Sequence, residues 1–118
     1  MINKRELKKN YKQMLQPMGI YIVTNLVNNK ILIGRSSNLP GRINRFKFGL
    51  KYGTESNREL LEDYKKYGEP NFSFGILDEL KPNDDPAFDY TGELQLLEEM
   101  WIEKLQPFGE KGYNKKGS

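Results

Sequence analysis

Glu98 is the residue whose position asks most directly for a chemical explanation. On a helix turning about 100° per residue it falls among Leu94, Leu97, Trp101, Ile102 and Leu105, while Glu93, Glu99 and Glu103 fall on the far side. Burying an unpaired carboxylate costs several kcal/mol, so this one calls for a metal ion, an arginine or several hydrogen-bond donors. The plain structural reading is an arginine salt bridge, or a helix end where the stripe opens to water. Tyr21 and Arg42 are the next residues of interest. A two-residue turn at Asn28 and Asn29 would pair Asn25 with Leu32 and Val23 with Gly34, placing Tyr21, Val23, Asn25, Leu32 and Gly34 on one strand face. Gly34 then leaves open space beside Tyr21, although a strand tyrosine is ordinarily a packing residue and a strand glycine ordinarily marks a bulge. Arg42 has Arg45 on one side and Ile43 and Phe46 on the other, which suits either a solvated charge or a phosphate contact. With no His and no Cys in the chain, imidazole bases, thiolate zinc sites, cysteine nucleophiles and Ser-His-Asp triads are excluded. Tyr, Lys, Arg, Asp, Glu, Ser and Thr remain for catalysis.

The elements that must hold these side chains follow from patterning. A Lys-rich helix is expected over roughly Lys4 to Leu15, before Pro17. Ile20 to Thr24 and Ile31 to Arg35 read as two strands of a hairpin, because Asn at 28 and 29 tolerates positive φ. Ser36, Ser37 and Asn38 before Leu39-Pro40 announce a helix to about Leu50 carrying Arg42, Arg45 and Lys47. Glu55-Ser56-Asn57 starts another, stopped at Tyr67 by Gly68 and Pro70. Asn71 to Leu77 alternates as a third strand with Phe72, Phe74 and Ile76 on one side. Lys81 to Tyr90 holds enough turn formers to be a loop, and the last helix runs from Thr91 to Leu105.

The 118 residues make one domain, and no run approaches the roughly 20 apolar residues needed to span a bilayer. The net charge of +3 conceals a polarised chain. Residues 1 to 54 carry eleven Lys and Arg against the single acid Glu6, and residues 27 to 54 hold six basic side chains and no acid. The remaining half is acidic, so one face is expected to seek a polyanion. Without targeting signals, a cytoplasmic location is expected.

Gly19-Ile20-Tyr21, Ile33-Gly34, Leu39 with Arg42, Glu98 four residues before Ile102, and Tyr113-Asn114 together resemble the GIY-YIG nucleases in order and spacing. The resemblance runs from Gly19 to Asn114 and is nearest to the small domain of phage and intron homing endonucleases. It is more distant to the nuclease domain of the excision-repair incision subunit. It implies an α+β fold, a three-stranded antiparallel sheet flanked by helices, here preceded by a basic N-terminal helix. Residues 1–18 then form a basic extension and 19–118 the nuclease-like domain.

What the resemblance implies for chemistry is a metal-dependent endonuclease acting on DNA, with RNA not excluded. Tyr21 would deprotonate or position the attacking water, with Arg42, Arg35 and the metal lowering its pKa. Arg42 would stabilise the transition state, Glu98 would hold Mg²⁺ or Mn²⁺, and Asn114 would brace the site near the cation or the tyrosine. Arg35, Arg45, Lys47, Lys51, Lys8 and Lys12 would contact phosphates, with weak sequence preference and a monomer expected. The chain departs from the family pattern at Leu32, where the second motif usually has Tyr. It departs again at Phe46 and at Thr54 or Glu55, where His is common. The alternative function is a nucleic-acid-binding module that no longer cuts, with Glu98 merely pairing with Arg42. A third is a protein-interaction domain using the acidic half.

Overall fold

A computed structural model of the chain describes residues 16–116. Strands β1 (Met18–Asn25), β2 (Ile31–Ser36) and β3 (Phe72–Leu80) form one antiparallel sheet in the order β2-β1-β3. Helices α1 (Leu39–Tyr52), α2 (Arg58–Tyr67) and α3 (Thr91–Leu105) flank it, with single 3₁₀ turns at Glu69–Asn71 and Gly109–Lys111. The α+β architecture expected from the sequence is therefore present, while the expected Lys4 to Leu15 helix lies outside the described residues. Among the described residues no helix is long and apolar enough to cross a membrane.

Helix starts follow the capping residues. The Asn38 side chain accepts from the Gly41 N–H at 3.0 Å, and that of Asn57 from the Leu60 N–H at 3.1 Å. Gly53 and Gly68, both at positive φ, end α1 and α2. Tyr21, Val23 and Leu32 pack under Leu39, Phe46, Leu50 and Leu60 to form the core, each buried aliphatic side chain contributing about 1.5–3 kcal/mol. α3 packs against β2 and β1.

The hairpin register differs from expectation. Tyr21 stands opposite Gly34 and Val23 opposite Leu32, and the Asn25 N–H donates to the Lys30 carbonyl at 2.8 Å. The loop is thus Leu26 to Asn29, longer than a two-residue turn. Its geometry is set by Asn25, whose side chain accepts from the Val27 N–H at 2.9 Å, and by Asn29 at φ 63°. Only Asn29 takes the positive φ expected of the pair. The shift is by two residues, so every side chain stays on its expected face.

A bulge does the opposite on the other side of β1. Ile20 pairs with Asp78 but Tyr21 with Ile76, so Leu77 is the extra residue. Phe72, Phe74 and Ile76 share the Tyr21 face, whereas Asp78 is turned to the α3 face, where it accepts from the Trp101 indole N–H at 2.8 Å. Gly19 makes the entry possible. Its φ of 149° and the nearby Asp78 carbonyl leave no room for a Cβ.

Candidate active site

Tyr21 is 8 % exposed and lies directly across Gly34, where an added Cβ would overlap the phenol oxygen. Gly34 is therefore the residue that lets the tyrosine cross the strand. The Arg42 guanidinium stands 5.6 Å from the Tyr21 ring centroid and 4.0 Å from that of Phe46. Phe46 in turn packs edge-on against Tyr21 at 5.0 Å, so two aromatic walls fix the arginine's approach. Among the described residues no carboxylate pairs with Arg42.

The Tyr21 pKa departs from expectation. Burial pushes it above its ordinary 10.0; Arg42 pulls downward by charge and hydrogen bond, and the negative charges of Glu98 and Glu55 push upward. Arg35, expected to help lower it, is engaged elsewhere.

Glu98 lies on the apolar stripe of α3 as read from the sequence, its side chain 21 % exposed. Its partner is Arg35, not Arg42. One carboxylate oxygen accepts from the Arg35 backbone N–H at 2.9 Å and the other from the Arg35 guanidinium at 2.7 Å. The reason is topological: β2 is an edge strand, and its outward backbone groups need partners. Asn114 supplies the neighbouring set. Its side chain accepts from the Ile33 N–H at 3.0 Å and donates to the Ile33 carbonyl at 2.8 Å, and the Tyr113 N–H donates to the Ile31 carbonyl at 2.8 Å. Asn114 thus braces the strand beside Gly34 and Arg35 through its backbone, with no hydrogen bond to Tyr21 itself.

The donor set decides which metals fit. Among the described residues no group of three or more Asp, Glu, His or Cys gathers, so a zinc-type cage does not fit. A hard cation that keeps most of its water needs only one or two carboxylates. Glu98 suits it, since each of its oxygens accepts one bond from Arg35 and retains a lone pair. Glu98 and Asn114 line one cleft of about 700 Å³ with Arg35 and Gln95.

The basic residues divide. Arg42 and Arg45 line a trough of two neighbouring hollows, one against Ser36, Ser37 and Asn38 and the other against Phe48, Thr54 and Glu55. Lys47 lies on the other flank of α1, its ammonium 5.7 Å from the Phe74 ring, and Lys51 is near Tyr52. Lys8 and Lys12 lie outside the described residues.

Sequence reasoning missed the network behind the site. Asn25, fully buried, donates to the Tyr113 hydroxyl at 3.0 Å, which donates to Asp63 at 2.7 Å, while Asn57 donates to the Tyr113 carbonyl at 3.0 Å. A signal was there: alternation put Asn25 among apolar neighbours, and a buried amide requires partners.

Comparison with known proteins identifies the fold and the family. Two solved structures of the catalytic domain of the intron homing endonuclease I-TevI are similar to the chain. One, an alanine variant of a glutamate, aligns over 84% of this chain and 93% of that one at 26% identity and a TM-score of 0.68. The other aligns over 82% and 96% at 27% identity and a TM-score of 0.67. No curated protein matches. The family model of the GIY-YIG catalytic domain matches residues 17–114, and the chain belongs to the GIY-YIG nuclease family.

Proposed function

We propose that this domain is a divalent-metal-dependent endonuclease that hydrolyses phosphodiester bonds in DNA. The observation that carries the reading is the convergence of Tyr21 and Arg42 over Gly34, with Glu98 anchored on the adjoining Arg35. Tyr21, a neutral phenol whose pKa burial pushes further above its ordinary value, holds and aims the attacking water. To act as a base it must first lose its own proton, which Arg42 favours and Glu98 and Glu55 oppose. Arg42 donates its planar fork to the phosphoryl oxygens as negative charge builds on them. Glu98 would hold Mg²⁺ or Mn²⁺, which supplies Lewis-acid polarisation of the phosphate and charge for the leaving oxygen. Asn114 keeps the β2 edge in place, and Arg45 extends the trough along the backbone of the nucleic acid.

A second reading, binding without cleavage, is favoured by the Glu98–Arg35 pair and by Leu32 at the place of the second tyrosine. A cleavage assay separates them. Wild type and Glu98→Ala are incubated with labelled single-stranded and duplex DNA in Mg²⁺, Mn²⁺ or EDTA. Metal-dependent cutting by wild type alone supports the nuclease. Equal retardation of DNA by both proteins with no cutting supports the binding module.

A further inference from the structure

Helix α1 carries an aromatic pair that neither the core nor the cleavage chemistry uses. Phe48 is 62 % and Tyr52 60 % exposed, and their ring centroids are 4.6 Å apart. An (i, i+4) aromatic pair adds a little helix stability, but that does not require two large rings left in water beside a catalytic trough. Phe48 lines the same hollow of about 320 Å³ as Arg42 and Arg45. The helix bears Arg42, Arg45, Lys47 and Lys51 and no acid, and the Lys51 ammonium lies 5.5 Å from the Tyr52 ring. The exposed rings are therefore set in positive charge, about two to three turns beyond the arginine over Tyr21.

We propose that Phe48 and Tyr52 form a stacking platform for an unpaired nucleobase of the bound strand, with Arg45 and Lys51 holding its flanking phosphates. The inference rests on the nucleic-acid reading above and names the form of substrate. A ring face can meet a base face only where the base is out of the duplex stack, so the occupant is a single-stranded, frayed or extruded nucleotide. Stacking of this kind is indifferent to base identity, because every base offers a π face, and each stacked base contributes about 1–3 kcal/mol.

The test uses the full chain in EDTA, with a short aminopurine-labelled oligonucleotide, single-stranded and as its duplex. Wild type should quench the aminopurine of the single strand. The Phe48→Ala/Tyr52→Ala variant should lose the quenching and bind the single strand roughly tenfold or more weakly, with duplex binding little changed. Phe48→Tyr/Tyr52→Phe, which keeps both rings, should retain both signals and guards against a folding artefact. Single-strand affinity and quenching unchanged in the alanine variant would overturn the platform. So would a wild-type dimer that the alanine variant dissociates, which would make the rings a contact between copies. Cleavage in Mg²⁺ without quenching would sink the platform and leave the nuclease standing. Quenching without cleavage would do the reverse.

Discussion

Two polar regions flank β2, and they differ in how completely their hydrogen bonds are used. Toward the hairpin end, on the same sheet face as Tyr21, Asn25, Tyr113, Asp63 and Asn57 bond one another and the backbone, and among the described residues no buried side-chain N or O lacks a partner. At the mouth, Arg42 stands over the rings of Tyr21 and Phe46, lines the trough, and among the described residues pairs with no carboxylate. A closed network fixes backbone; an arginine held in position with donors to spare can receive a developing charge. The contrast separates residues whose loss should unfold the protein from those whose loss should silence it.

Gly34→Ala attacks the mouth most sharply, because the new methyl overlaps the Tyr21 hydroxyl. Cleavage should fall about 100-fold, the cost of a misplaced reacting group, in single-turnover assays on folded protein. Tyr113→Phe attacks the closed network. It removes the donor to Asp63 and the acceptor of Asn25, and should cost about 1–3 kcal/mol in urea unfolding while the cleavage rate at low temperature stays within about twofold.

How far these roles were legible in advance depends on the kind of contact. Strands, helices and the face of each side chain could be read because alternation, caps and helix stops are local. The hairpin register could not be, because the loop length is set by the Asx turn of Asn25 and the αL conformation of Asn29. Glu98 stood out as a carboxylate on an apolar stripe. That its partner is Arg35 follows from the edge position of β2, a fact of tertiary arrangement. For Tyr21, charge counting saw the arginines but not the burial, which pushes its pKa upward.

Alkaline pH sharpens the same contrast more gently. Burial raises the Tyr113 pKa above 10.0 in the folded state, so above that pH the unfolded chain releases a proton that the native protein retains. Stability should be complete below pH 10 and decline as pH rises beyond it, with a shallower slope in Tyr113→Phe. The smallest effect is expected at the Lys30–Glu59 ion pair, whose Glu side chain is exposed. Glu59→Gln should cost less than about 1 kcal/mol and leave cleavage unchanged, as seen by thermal melting and the same assay.

The most direct measurement compares wild type with Arg42→Ala and Arg42→Lys in single-turnover cleavage at saturating DNA and Mg²⁺, with melting temperatures alongside. The account predicts a fall of about 10²–10³-fold for alanine and only partial rescue by lysine, which lacks the planar fork, with melting nearly unchanged. Cleavage by Arg42→Ala at the wild-type rate, or a loss explained wholly by unfolding, would contradict it.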